Sequence, residues 1–504
     1  MNPADRVSHM KRRRFLATSG IALLGGCTFG DFGGSPTETP TATPVPSDEP
    51  TRTPSGEPGD EPSVTADELR ERRVVEFETA PLTVALYGRR RINGRVTATY
   101  GISEPATADS PAVVHALVEN GGGFERTFAL RRIPGFWNPP STRGEDGGGT
   151  VYLAPTENHD LGESVPEVRR GRAGRWRLAD DGREWLPERL TLEPDEAVLG
   201  EYHLVASDDA DDPPLVADEY RFRYQGEGFT VSAWETDAPG PEEGSAFEDP
   251  QVPPLPNAET MAWYHEADAG TEVYLQPSEE RVEAPACIEF ELHNRSGERI
   301  AGNPYDWTLY KLDDGEWFRI APWFVNQPLA RIPPGDSDES ELSLFHGEPI
   351  ACEDGRGVGH LGGGRYAYRV GFGRKGETHA ALLDLEAPAV SPTPDDDVEI
   401  ERDGDEVVVT MPVWNDEEHP PDAELVFKRT DRDPDRRLVA EQLFRRPLRG
   451  YRNALPLFED GVERVVLRTD RHVVSDTVDY DELEATVAYG GQRFHVEGED
   501  PLRE

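Results

Sequence analysis

Few residues in this chain are placed to do chemistry. Asp431-Arg432-Asp433-Pro434-Asp435 has the alternating carboxylates that open a calcium loop. Its sixth position is Arg436 where the turn needs glycine, and its twelfth is Gln442 where a chelating glutamate is needed. Ser337 and Ser340 stand among acids, with neither a base nor an oxyanion hole visible beside them. His346, His360 and His379 share one segment and could converge on a metal, although twelve histidines in 504 residues is ordinary. There is no Gly-x-Ser-x-Gly elbow, no His-Glu-x-x-His, no phosphate-binding Gly-x-x-x-x-Gly-Lys-Ser/Thr and no dinucleotide fingerprint. The expectation is a non-enzymatic protein with no catalytic residue, no bound metal and no cofactor. A surface hydrolase using acidic residues is one alternative. It would need two carboxylates about 5–9 Å apart in a cleft, and 98 acids make the sequence useless for choosing them.

The aromatic residues are better candidates. Gly135-Phe136-Trp137-Asn138-Pro139 and Ile320-Ala321-Pro322-Trp323-Phe324 set tryptophans in proline-rich loop contexts. An exposed loop tryptophan marks a surface for a sugar or a protein partner, so Trp137 and Trp323 are the candidate binding residues. Packing under the loop is the competing reading of both. Trp307 alternates into a strand and reads as core. Asn294-Arg295-Ser296 is a glycosylation sequon in an expected turn, so Asn294 is a candidate acceptor, with an unmodified turn as the alternative.

These residues need elements to hold them. Beyond residue 80, short alternating runs dominate, such as Tyr220-Arg-Phe222-Arg-Tyr224 and Tyr366-Ala-Tyr368-Arg-Val370. Gly, Pro, Asn and Asp clusters separate them, which reads as all-β. Short helices are expected at 66–72 and around 437–444. Residues 28–65 are rich in Pro, Thr, Ser and Glu and lack the apolar residues of a core, which reads as a disordered stalk. The expected folded modules are 66–236, 261–390 and 391–504, with a linker at 237–260. They resemble each other: Pro111-Ala-Val113-Val114-His-Ala116-Leu-Val118-Glu-Asn120 aligns without a gap on Pro285-Ala-Cys287-Ile288-Glu-Phe290-Glu-Leu292-His-Asn294. Each reads as a strand ending in an Asn turn. Asp180-Asp181-Gly182 and Asp313-Asp314-Gly315 then read as turns before Trp185 and Trp317. Glu193-Pro194-Asp195 and Pro334-Gly335-Asp336 form a further pair of turns.

A strand ending in Leu-x-Asn, a turn before Trp317, a Pro-Gly turn and Gly364-Arg-Tyr366-Ala-Tyr368 together resemble bacterial immunoglobulin-like domains. The nearest type is the one related to the intracellular proteinase-inhibitor fold of bacilli. The resemblance covers 280–375 best and is weaker over 95–235 and 400–500. It implies tandem immunoglobulin-like β-sandwiches. Inhibition of extracellular proteases is a second alternative function, although no reactive loop is identifiable from the sequence.

Arg12-Arg13-Arg14-Phe15-Leu16 precedes an apolar run ending in Leu24-Gly25-Gly26-Cys27. Arg12, Arg13, Phe15 and Leu16 resemble a twin-arginine export signal, and Leu-Gly-Gly-Cys resembles the lipobox of bacterial and archaeal lipoproteins. The resemblance implies a signal over 1–27, passage through the export machinery, and a lipid on Cys27 that tethers the chain to the extracellular face of the cell membrane. Cys287 and Cys352 then remain as an even pair in an oxidising compartment. A disulfide between them would close a loop of about 65 residues, worth roughly 4 kcal/mol in the chain-entropy model. Two separate buried thiols are the alternative.

Net charge is −46, and only four of the 52 basic residues are lysine. That balance resembles proteins of extremely halophilic archaea. The Debye length falls to about 3 Å at 1 M salt, which screens such self-repulsion. The same charge argues against nucleic acid as a partner, since phosphates need Lys/Arg clusters opposite them. The reading is a lipid-anchored, non-catalytic binding or cell-envelope structural protein, its partner an envelope protein or a polysaccharide.

Overall fold

The computed structural model describes residues 64–499 apart from 72, 172–173, 180–183, 210, 249, 353–354, 374–375, 413–421 and 479–482. Arg12, Arg13, Phe15, Leu16, Cys27, most of the stalk and the Asp180–Gly182 turn lie outside the described residues. Period-2 alternation governs most of what is described, and the chain is all-β, built as tandem sandwiches.

In the first module, eight strands pair antiparallel in one path: Asp218–Tyr224, Glu227–Glu235, Leu82–Asn93, Val96–Glu104, Ala112–Asn120, Ala197–Ala206, Thr150–Pro155 and Ser141–Arg143. The sheet folds over until its ends meet. Gly144 bridges Tyr220, and Thr142 Oγ1 donates to the Arg221 carbonyl at 2.8 Å. Inward residues Tyr100, Val114, Tyr202 and Phe222 fill the space between the two walls. On the outer face, helix Ala66–Glu71 lays Leu69 on Leu117 and Leu199. A capping box starts it: Thr65 N–H donates to Glu68 Oε2, and Glu68 N–H to Thr65 Oγ1.

The second module is a two-sheet sandwich. One sheet holds Val273–Pro277, Ala286–Asn294, Asp336–Leu344 and Arg356–Val358. The other is built on Glu377–Glu386, Gly364–Gly373, Ile300–Asp313 and Glu316–Ala321. Phe290 stacks on Tyr368 across the gap, with ring centroids 4.0 Å apart. The segment 237–260, read as a linker, lies against this module. Phe247 and Leu255 are buried with Trp263 and Tyr310, and Trp317 Nε1 donates to the Pro253 carbonyl at 2.7 Å.

The third module differs in its second layer. Its seven-stranded sheet includes two parallel pairs, Glu406–Thr410 with Arg464–Thr469 and Arg436–Arg437 with Glu484–Tyr489. The helix expected around 437–444 is present at Ala440–Leu443, and where a second sheet is expected over the rest of 391–504 the structure has helices Arg449–Ala454 and Arg471–Thr477. Leu448, Tyr451 and Leu455 fall at helical spacing and turn inward onto Leu425 and Phe427. Asp470 caps the last helix by accepting from the His472 and Val473 N–H groups.

The repeat detected in the sequence has a structural counterpart. Asn120 and Asn294 end equivalent strands and are buried. Asn120 Nδ2 donates to the carbonyls of Phe124, Leu192 and Glu193, and its Oδ1 accepts from Gly122 N–H. Asn294 Nδ2 donates to the carbonyls of Glu298 and Ile332, and its Oδ1 accepts from Ser296 N–H. Each side chain thus ties its own turn to the proline turn of another strand. Asp195 and Gly335 occupy the left-handed position of those proline turns, at φ 61° and 72°. A Cβ on Gly335 would also lie 2.7 Å from Ser232 Cβ in the first module, so a close approach between modules reinforces the need for glycine there.

Candidate binding surface

The structure separates the residues that the sequence suggested for chemistry. Asp433 pairs with Arg493 at 3.2 Å, Asp435 accepts from the Thr486 N–H at 2.7 Å, and Gln442 Nε2 donates to the Arg319 carbonyl. No calcium loop assembles from them. His346 Nδ1 bonds the Leu361 carbonyl, His360 stacks on Phe444, and His379 is buried beside Gly373. Ser340 Oγ lies 3.2 Å from Tyr368 OH inside the sandwich. Ser337 stands directly across from His293, which lies 3.6 Å from Glu291. The order serine, histidine, carboxylate is suggestive, but burial holds the His293 pKa down to about 3, too weak a base to take a serine proton at neutral pH.

Cys287 and Cys352 are joined by a disulfide, with Cα atoms 6.1 Å apart. It fastens the loop after the Asp336–Leu344 strand to the neighbouring Ala286–Asn294 strand. Asn294 is fully buried and its amide N–H groups are engaged within the protein, so it is no glycan acceptor in the folded chain. The sequon's asparagine serves the clamp.

The two candidate tryptophans are half-buried. Trp137 packs on the first module's core, its ring 6.3 Å from Phe222. The next residue, Asn138, pins it there by bonding the Trp185 and Leu186 backbone. Trp323 packs against the third module's core although it belongs to the second, and Arg319 covers its ring at 5.8 Å. It works as a joint between modules and not as an open ligand platform.

The residues beside Trp323 are the exposed ones. Phe324 is 85% exposed, Leu329 69% and Tyr305 44%. Their loops are tied together: Asn303 Nδ2 donates to the Asn326 carbonyl at 2.6 Å. Tyr305 sits on a bulge in strand Ile300–Asp313, because Asn303 pairs with Gly371 and Trp307 with the adjacent Val370. Residues 304–306 therefore have no partners in the ladder, which is how a bulge turns a side chain outward. The bulge is braced. Asn303 Oδ1 accepts from Tyr305 N–H, Arg356 donates to the Pro304 carbonyl, and Arg369 pairs with Asp306 at 2.8 Å. A Cβ on Gly371 would meet Asp306 at 2.5 Å, so only glycine lets the bulge fold back there. No acid occurs between Glu316 and Asp336, a rarity in this chain. The three exposed side chains are apolar or aromatic, and the bulge that carries Tyr305 is firmly braced. Sequence reasoning chose Trp323 and passed over Phe324; the acid-free run was the available signal.

Concave sites compete poorly. A cavity of about 480 Å³ between the second and third modules is lined by Lys311, Arg437, Glu441 and Tyr489. Its charges already pair, Lys311 with Glu441 and Arg437 with Asp313. One of about 710 Å³ in the first module holds Asp208 and Asp212, which pair with Arg169 and Arg143. Among the described residues no helix is long and apolar enough to cross a membrane.

No family model matches the chain, and no curated protein matches it. Among solved structures, a polysaccharide lyase is similar at 13% identity and TM-score 0.12, covering 60% of this chain and 36% of the lyase. Salmonella alpha-2-macroglobulin reacted with methylamine is similar at 9% identity and TM-score 0.12, covering 69% of this chain and 21% of the other. The chain spans well under half the length of either, and likeness at this level says nothing about activity.

Proposed function

We propose that this chain is a non-catalytic surface-binding protein, exported and held by a lipid on Cys27 at the outer face of the cell membrane. Its ligand meets the patch of Phe324, Leu329 and Tyr305. The observation that carries the reading is the exposure of these three side chains on a braced bulge and a loop tied to it, with Phe324 and Leu329 in an acid-free stretch. Large apolar side chains held rigidly in water lose little further entropy on binding. Such contacts do not rest on ion pairs, so added salt leaves them intact. The partner is therefore a protein with an apolar face, or the face of a neutral sugar.

The test is a pull-down with the full chain against detergent-solubilised envelope and cell-surface polysaccharide. A saturable partner lost on Phe324→Ser and Leu329→Ser, in protein that melts like the wild type, supports the reading. A partner retained by both variants refutes this patch. The exposed loop at 322–329, tied to the neighbouring bulge through the Asn326 carbonyl, also favours a second reading, an inhibitor of extracellular proteases that offers the loop to an active site. Failure to slow any protease from the same culture, or rapid cleavage after Phe324, counts against it.

A further inference from the structure

A second surface stands out by charge. Between Glu78 and Glu104 the chain has no acidic residue, yet it carries Arg89, Arg90, Arg91 and Arg95. In a chain of net charge −46 this is the reverse of the general balance. The segment forms the hairpin of strands Leu82–Asn93 and Val96–Glu104, turning at Gly94. Alternation sorts its side chains. Ile92 packs on the core, and Arg90 closes the end of the sandwich by donating to the Gly228 carbonyl at 2.6 Å. Arg89, Arg91 and Arg95 take the other face and are exposed. Among the described residues none of these three pairs with an acid, whereas Arg90 lies 3.8 Å from Glu227.

We propose that this outer hairpin face binds an acidic polysaccharide, one bearing carboxylates or sulfates. Alternate residues on a strand are about 7 Å apart, so Arg89 and Arg91 offer guanidinium forks at intervals along an extended chain. Guanidinium is the side chain best shaped for planar, two-point capture of carboxylate or sulfate. Thr97 lies opposite Arg91 and adds a hydroxyl between the cations. At the same end, Phe124 is 74% exposed on the neighbouring turn, where the Gly121 N–H donates to the Arg95 carbonyl at 3.3 Å. An aromatic ring beside cations suits a sugar, which presents C–H faces as well as anionic groups. A membrane surface fits less well. Glu119 pairs with Thr97 on the adjacent strand, and Glu125 and Glu193 flank the tip. A flat anionic bilayer would be pressed against these acids, whereas a thin polymer can follow the arginines alone. This site is independent of the Phe324 patch and stands whether or not that reading holds.

The test measures binding of the full chain to alginate, dextran sulfate and neutral dextran, and to vesicles of phosphatidylglycerol, across a salt series. The expected result is salt-dependent binding to the two polyanions and none to neutral dextran. Arg89→Gln/Arg91→Gln/Arg95→Gln weakens it by about 10-fold or more and lowers the slope of log Kd against log salt by about two. Thr97→Asp, which keeps the arginines but sets a charge among them, weakens it as well. Equal binding of wild type and triple variant overturns the proposal. So does binding to neutral dextran as tight as to alginate, binding to vesicles alone, or no binding at all.

Discussion

Replacing Glu441 by alanine takes the acceptor away from a buried cation. Glu441 is 3% exposed on the short helix Ala440–Leu443 of the third module. Its Oε1 receives Lys311 Nζ from the second module and the Gly362 N–H at 3.2 Å. Lys311 is itself only 13% exposed and lies 5.6 Å from the Tyr366 ring centre. In Glu441→Ala the ammonium keeps the aromatic face but loses its carboxylate, and the Gly362 N–H loses its acceptor. An uncompensated buried charge costs about 3–5 kcal/mol, and an unmet N–H about 1 kcal/mol more. The sliver of exposure left to Lys311 puts the sum near the lower end, about 3–4 kcal/mol. Against a usual stability of about 5–15 kcal/mol, that is a large loss. Urea unfolding followed by tryptophan fluorescence reads it, since Trp323 packs on the third module's core and Trp317 faces Leu312 beside Lys311. The companion variant Glu441→Leu/Lys311→Met removes both charges and should recover most of the loss. A cost below about 1 kcal/mol for Glu441→Ala, or a double variant no better than the single, would refute the claim that this ion pair locks the two modules.

Three further outcomes are expected. His159 is buried against Tyr202 with its pKa lowered to about 3 by desolvation. The unfolded chain therefore binds a proton there between about pH 6.5 and 3 that the folded chain refuses, and stability falls as pH falls through that window. At pH 5 the loss is about 2 kcal/mol, and His159→Gln should flatten the curve of melting temperature against pH; an unchanged curve removes His159 from the account. Asn294→Ala should cost about 2–3 kcal/mol through two unmet buried carbonyls, and mass spectrometry of the native protein should show Asn294 unmodified. Cys27→Ser should release the chain into the medium or leave it unprocessed, and membrane partitioning identical to the wild type would rule out the lipid anchor.

Alternation and turn residues made the two sandwiches readable, because a half-buried strand writes its inward face into the sequence every second position. The gapless match of 111–120 to 285–294 carried further: both asparagines are clamps, and each bonds a proline turn that also aligned. The third module's helical layer was harder to see. Only the stretch around 437–444 reads as helix in the sequence; Arg449–Ala454 and Arg471–Thr477 are six and seven residues long, and each inward face by itself is too short to set its period apart from a strand's. Arg449–Ala454 gains its stability from Tyr451 and Ala454 lying on the sheet, and that contact is set by topology and not by local propensity.

The binding patch shows the same limit at single-residue scale. Trp323 and Phe324 are consecutive, both large, and both in the same proline-bounded loop. Nothing local decides which of them faces inward. The third module does, by offering its core to Trp323, and the backbone then has to send the next side chain the other way. With the anchor residue removed from solvent, the loop cannot turn Phe324 under without pulling Trp323 out of the joint. The exposure of Phe324 is thus enforced from a distance, and it should persist only while the joint is closed. Trp323→Ala should therefore abolish binding at Phe324 although Phe324 itself is not substituted, whereas a patch that folds independently of the third module would keep its ligand.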